Sequence, residues 1–314
     1  MNFGDLITKG NNGDVLLLRF PHREAKERTE RKEHIGRELG PNCLFRFLPH
    51  IATLSIGTQK IWSISDLGDV LRPKQFVQHK YQTYKSTYSY EELLENLRVA
   101  IKDNMTAEKE LIFFGSTSET FPTIFSQIEQ LNSTKKKTIL FFSPYLNLQY
   151  HYNETNIRVE SSMRWLVDHL RFGADINVHY IGANSKYIHK EELEFINDHK
   201  DIIKVSYIES LSKSSVLDLL NEIKHNEDEL YVNLSFDIVS SEYFEGKNFD
   251  TWDDVFDNYL MLDIIRLLAR YDNLKVLAFY DFNPKIEDYR SGVFYATLVY
   301  EFLKNRCKFT ITEN

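Results

Sequence analysis

The chain has 314 residues, of which 42% are hydrophobic, and its formal net charge is −8. This length and apolar content suffice for one large α/β domain or two smaller ones. The acidic balance argues against a general nucleic-acid or membrane-surface binder.

The cysteine content and the N-terminus both favour a cytoplasmic protein. Cys43 and Cys307 are the only cysteines, and they lack metal-ligand spacing, which suits a reducing compartment. The N-terminus lacks a charged stretch followed by a long apolar one, so we predict no signal peptide. No apolar run approaches the roughly 18 residues of a membrane span. We therefore expect no membrane partner.

The N-terminal part begins with a predicted strand at residues 14–20, which ends at Pro21 because proline cannot donate to a ladder. Residues 23–38 alternate acidic and basic side chains at helical spacing. A solvated helix or lid is the simplest interpretation, and a partner-binding surface is the alternative. A short helix is expected after Gly40-Pro41, and a strand at residues 61–64.

Four tyrosines among Lys, Ser and Thr mark residues 78–90. Such a stretch could stack single-stranded nucleic acid. The acidic balance of the chain favours an ordered surface loop instead, and we expect no nucleic-acid partner.

Strands and helices then alternate to the end of the chain. Further strands are predicted at residues 111–114, 138–142, 177–181, 203–208, 230–236 and 274–280, and further helices at 90–102, 161–172, 190–199, 213–225, 251–271 and 292–304. No linker rich in Pro, Gly or Ser interrupts this pattern. It predicts a single three-layer α/β domain over residues 1–314 with a mainly parallel sheet. A (β/α)8 barrel has a similar rhythm, and no repeated motif separates the two.

The strand at residues 138–142 shows no alternation, which is typical of a parallel strand buried on both faces. Ser143, Tyr145 and Asn147 follow it at a spacing of two. Ligands bind at this end of the strands in open α/β sheets. An enzyme would place Asp or His at such positions, whereas this chain has a hydroxyl, a phenol and an amide.

Several segments together resemble the ureohydrolases, the family of arginase, agmatinase and formimidoylglutamase. The resemblance involves Gly40-Pro41 with Leu44 and Arg46, Asp66-Leu67-Gly68-Asp69, and the segments 113–118, 143–147, 235–239 and 281–284. It implies the arginase-type fold, with three α/β/α layers and a mainly parallel eight-stranded sheet. It also implies a homo-oligomer, either a trimer or a hexamer.

The metal-binding part of that family is not retained in this sequence. Family members hold two manganese ions with two His and four Asp. The positions that correspond here are Thr117 and Tyr145 for His, and Ser143, Asn147, Asp237 and Val239 for Asp. Neutral hydroxyls and amides are poor ligands unless carboxylates supply charge. The resemblance therefore implies no metal, no other cofactor and no metal-activated water.

We accordingly expect an arginase-fold protein that has lost the binuclear site and serves as a catalytically inactive binding, regulatory or assembly protein, for which a protein partner is one candidate. The alternative is a divergent formimidoylglutamase-like or arginase-like hydrolase of an amidine or guanidine C–N bond with an altered metal site. Glu160 and Asp281 are possible accessory residues. His151 and Glu154 could help form a different mononuclear site, but a solvated loop pair is the simpler interpretation.

Asp237 is the one carboxylate that remains at the six ligand positions, and no metal ion is expected to balance its charge. Without a cation, Asp237 needs hydrogen bonds or a basic partner. Tyr145 and Asn147 are the obvious donors from the sequence alone. The ring of Tyr145 is also large enough to fill the space that metal ions leave.

Overall fold

The computed structural model describes residues 3–21, 36–51, 63–70, 90–132, 135–150, 159–170, 175–224, 228–247 and 255–307. Most of the charged stretch 23–38, the tyrosine-rich stretch 78–89, and the pair His151 and Glu154 lie outside these residues.

Nine strands form one all-parallel sheet in the order β1-β3-β2-β4-β9-β8-β5-β6-β7. They are β1 (Ile7–Lys9), β2 (Val15–Phe20), β3 (Ile64–Asp69), β4 (Glu110–Gly115), β5 (Lys137–Phe142), β6 (Ile176–Ala183), β7 (Ile203–Tyr207), β8 (Glu229–Ser235) and β9 (Leu274–Tyr280). Every residue of β5 is buried, which confirms the prediction of a strand covered on both faces.

The expectation of eight strands is wrong by one edge strand. β1 is three residues long and pairs with the start of β3. Thr8 and Lys9 are exposed, so β1 has no apolar pattern from which sequence could predict it. The segment Asp66 to Asp69 lies within β3 rather than after it.

Eight α-helices within the described residues cover the two faces of the sheet. They are α1 (Gly40–Phe47), α2 (Tyr90–Asn104), α3 (Phe121–Ile128), α4 (Ser162–Leu170), α5 (Lys190–Asp198), α6 (Lys213–Lys224), α7 (Asn258–Leu268) and α8 (Tyr289–Arg306). Buried side chains of α1, α6, α7 and α8 form one core with the sheet, and those of α2 to α5 form the other. This arrangement confirms the three-layer α/β prediction and excludes the barrel.

Two helices begin three or more residues from the predicted start, and side-chain hydrogen bonds to main-chain N–H groups explain both starts. α7 begins at Asn258 because the carboxylate of Asp257 accepts the Leu260 N–H at 2.8 Å. The predicted start of this helix, residues 251–254, lies outside the described residues. α8 begins before residue 292 because Glu287 accepts main-chain N–H groups at its first turn, including that of Tyr289 at 2.8 Å.

No helix within the described ranges combines the length and the apolar content that crossing a membrane requires.

Candidate functional site at the carboxyl edge of the sheet

The sequence-predicted positions meet where the four central strands end. Thr117 follows β4, Asp281 follows β9, Asp237 follows β8 and Tyr145 follows β5. These strands are neighbours in the sheet and parallel, so the segments that follow them share one edge. The charges of Asp237 and Asp281 both act on the phenol of Tyr145.

A guanidinium group that the sequence did not predict joins the two carboxylates. Arg37 Nη2 donates to Asp237 Oδ2 at 2.8 Å, and Arg37 Nη1 donates to Asp281 Oδ1 at 2.7 Å. The exposed fractions of Arg37, Asp237 and Asp281 are 4%, 1% and 5%, so water screens these contacts little. The basic partner that Asp237 requires is therefore Arg37.

Ser235 connects the Asp281 carboxylate with the main chain of Asp237 at the end of β8. Its Oγ donates to Asp281 Oδ2 at 2.6 Å and accepts the Asp237 N–H at 3.2 Å. Asp281 has a left-handed backbone with a φ of 72°, and its N–H donates to the Ser116 carbonyl at 3.2 Å. Asp tolerates this conformation better than most residues do. The carboxylate of Asp281 is thus held by both its backbone and its neighbour.

Burial and charge oppose each other at this group. Burial and the charge of Asp281 raise the pKa of Asp237, although the charge of Arg37 opposes the rise. Burial lowers the pKa of Arg37, but the two carboxylates outweigh burial and leave it raised, so the guanidinium stays charged. Lys247 is a second buried cation whose charge acts on Asp237, and its Nζ donates to the Val239 carbonyl.

Gly36, which directly precedes Arg37, has a main-chain conformation that favours glycine. Gly36 has a φ of 118°, and a Cβ atom there would lie 2.2 Å from Asn283 Oδ1. The Gly36 N–H donates to Glu38 Oε2 at 2.9 Å, and Glu38 faces Lys285 at 3.9 Å. Because Arg37 and Glu38 are buried, the interpretation of a solvated helix over 23–38 is wrong for these two residues. Gly36, which interrupts the charged run, is the sequence signal that could have separated them from it.

Asn147 has a different partner from the one expected. It has a φ of 57°, and its Nδ2 donates to Ser118 Oγ at 3.1 Å. Its carbonyl accepts the N–H of Met163 at 3.1 Å, at the start of α4. Asn147 thereby ties the segment after β5 to α4 and to the segment after β4.

The remaining predicted positions are buried in the protein or half-buried near its surface. Ser143 is buried, and its Oγ accepts the Tyr145 N–H at 3.0 Å. Val239 is fully buried in an apolar core, whereas Thr117 is half-buried. Glu160 is half-buried in the turn before α4, where its carbonyl accepts the Gln149 N–H at 2.9 Å.

Tyr145 packs its ring on Tyr187, with 5.2 Å between the ring centroids. The side chain is half-buried, and burial raises the pKa of its phenol well above the ordinary range, with Asp237 adding to the effect. The phenol is therefore neutral.

Tyr145→Ala is expected to lower the free energy of unfolding by about 1–3 kcal/mol, because fully buried aromatic residues cost about 3–5 kcal/mol and this one is partly exposed. Urea unfolding monitored by circular dichroism measures the change. Tyr259→Ala, at a side chain that is 70% exposed, provides the control. Equal effects of the two substitutions would contradict the packing role of Tyr145.

The fold matches solved structures at low sequence identity. A Trypanosoma cruzi formiminoglutamase crystallised with Mn²⁺ has a TM-score of 0.76 and 13% identity, with 95% of each chain covered. An arginase superfamily protein from Trypanosoma cruzi has a TM-score of 0.79 and 12% identity over 99% of each chain. Formimidoylglutamase from Bacillus subtilis has a TM-score of 0.73 and 13% identity, over 97% of this chain and 92% of that one.

Sequence comparison adds nothing to this result. No model of a known protein family matches the chain, and no curated protein matches it either. At these identities the structural likeness defines the fold, which is the arginase-type fold of the ureohydrolases. The chain is similar in structure to hydrolases of that superfamily.

The residues at this edge do not suit the manganese of the formiminoglutamase structure. Manganese prefers carboxylate oxygen and imidazole nitrogen. Within the described ranges, no group of three or more His, Cys, Asp or Glu side chains could hold a metal ion. The carboxylates of Asp237 and Asp281 already bind a guanidinium group.

Proposed function

We propose that this protein is a catalytically inactive arginase-fold protein that acts in binding, regulation or assembly. The observation that supports the proposal is the Arg37 guanidinium between Asp237 and Asp281. It supplies positive charge from within the chain, at the edge where the resemblance to ureohydrolases implies metal-ligand positions. Hydrolysis through a metal-activated water would have to displace this ion pair first.

The side chains around the ion pair support the same proposal. Thr117 and Ser143 offer neutral hydroxyls, and the Oγ of Ser143 accepts a main-chain N–H. The amide of Asn147 donates to Ser118, and Val239 offers no donor atom. Several carboxylates that face one another repel when no cation lies between them, so neutral residues here relieve repulsion.

The alternative is a divergent hydrolase of an amidine or guanidine C–N bond with an altered metal site. Its support is the similarity to the manganese-containing formiminoglutamase over 95% of each chain. A homo-oligomer, trimeric or hexameric, and a protein partner remain predictions. Sedimentation velocity can test the first of them.

Purified protein incubated with manganese and then desalted is expected to retain no stoichiometric metal, because the two remaining carboxylates already pair with Arg37. It should also release neither urea from arginine or agmatine nor formamide from formiminoglutamate. Elemental analysis and product assays measure these quantities. The Trypanosoma cruzi formiminoglutamase, treated in parallel, is the positive control. Tightly held stoichiometric manganese together with turnover would favour the hydrolase.

A further inference from the structure

We propose that Asp237, Asp281 and Ser235 form a guanidinium-binding site whose resident ligand is the chain's own Arg37. This inference rests on the proposed function, in which the edge of the sheet no longer holds a metal centre. It adds the chemical class of cation that the site recognises. It also assigns Arg37 as an internal ligand that excludes free ligands of that class.

The geometry matches a planar cation with two separate donors. The two terminal nitrogens of Arg37 bind different carboxylates, at 2.8 Å to Asp237 and 2.7 Å to Asp281. Guanidinium donors form a rigid fork, whereas an ammonium group is a point charge. Charge-assisted hydrogen bonds of this kind are stronger than those between neutral groups.

The Asp281 carboxylate and the main chain of Asp237 are held by contacts other than those with Arg37. Ser235 Oγ donates to Asp281 at 2.6 Å and accepts the Asp237 N–H at 3.2 Å. The Asp281 N–H donates to the Ser116 carbonyl at 3.2 Å, which fixes its backbone. These contacts remain when the Arg37 side chain is shortened. A ligand that enters the shortened variant therefore meets prearranged acceptors, which lowers the cost of binding.

The carboxylates of the site need a cation because they are buried. Asp237 is 1% exposed and Asp281 is 5% exposed, so the pair cannot rely on water for compensation. Lys247, a second buried cation whose charge acts on Asp237, donates its Nζ to the Val239 carbonyl. Removal of the Arg37 guanidinium leaves a buried space that matches free guanidinium in shape and charge.

Arg37→Ala tests the site by chemical rescue. The variant is refolded from urea at equal ionic strength into sodium, tetramethylammonium, manganese or guanidinium chloride, with guanidinium kept at millimolar, non-denaturing levels. Only guanidinium should raise its melting temperature saturably, by on the order of 2–4 °C. Wild-type protein should show no rise, because Arg37 fills the site. Arg46→Ala, which removes a largely exposed arginine paired with Asp288, should show none either.

Two further variants test whether guanidinium acts at Asp237 and Asp281. Adding Asp237→Asn to Arg37→Ala should abolish the guanidinium response, since one of the two charged acceptors is gone. The variant Arg37→Ala/Asp237→Asn/Asp281→Asn should fold without guanidinium, because the two buried carboxylates that need a cation are gone. It also controls for the refolding procedure.

The test remains decisive if the Arg37→Ala variant is too unstable to fold. If Arg37→Ala does not fold in sodium chloride, the folded yield becomes the readout, and guanidinium must restore it. Failure to restore it, or equal stabilisation by tetramethylammonium or manganese, would show that the site is not specific for guanidinium. The proposed function fails on a different result, namely manganese content and turnover of the wild-type protein.

Discussion

Arg37→Met should lower the free energy of unfolding by about 3–5 kcal/mol, the range expected when one partner of a buried ion pair is removed. Methionine keeps much of the side-chain volume but removes the charge and both hydrogen bonds. Asp237 and Asp281 would then face each other in a buried site without their shared cation. Urea unfolding at neutral pH, extrapolated to zero denaturant, measures the difference.

Matched variants separate this effect from general loss of charge. Arg290→Met removes an arginine whose side chain is 71% exposed and pairs with Glu245. Its cost should be below about 1 kcal/mol. Arg37→Lys should fall between the two, since one ammonium group replaces a two-armed fork. A cost for Arg37→Met equal to that of Arg290→Met would contradict the role given to the ion pair.

The fold was predictable wherever burial leaves a pattern in the sequence. β5 is a run of buried residues with no alternation, and it lies inside the parallel sheet between β8 and β6, covered on both faces as expected. β1 could not be predicted, because only main-chain pairing with β3 defines this short, partly exposed strand. The start of α7 was misplaced because the cap formed by Asp257 outweighed the longer helical pattern.

The site was predictable only in part, and for a physical reason. In a parallel sheet the residues that follow neighbouring strands share one edge, so Asp237, Asp281 and Tyr145 could be grouped once the strands were known. Arg37 precedes α1 and reaches the same edge through a contact with a residue 200 positions later. Nothing in its local sequence distinguishes it from the charged run before it, except for Gly36.

The ion pair and the neutral residues around it have one physical cause. A buried carboxylate needs a cation, and a chain can obtain one from solution or from its own side chains. Here Arg37 provides the charge. Each position without a carboxylate reduces the number of charges that Arg37 must balance.

Rebuilding the predicted metal site should make folding depend on manganese only when Arg37 is removed as well. The rebuilt variant carries Thr117→His, Ser143→Asp, Tyr145→His, Asn147→Asp and Val239→Asp. Without metal, added carboxylates should destabilise it by several kcal/mol, on the order expected for burying charge. The largest share comes from Val239, which is fully buried in an apolar core.

With Arg37 retained, manganese should recover little of this loss, because the guanidinium competes for Asp237. With Arg37→Met added, manganese at about 100 times its dissociation constant should recover about 2.7 kcal/mol, since it binds only the folded state. Thermal melts in manganese and in magnesium chloride, compared for both variants, measure the difference. Magnesium should recover less, because it binds imidazole more weakly than manganese does. A melting temperature that manganese leaves unchanged in the Arg37→Met variant would mean that these six positions do not derive from a metal site.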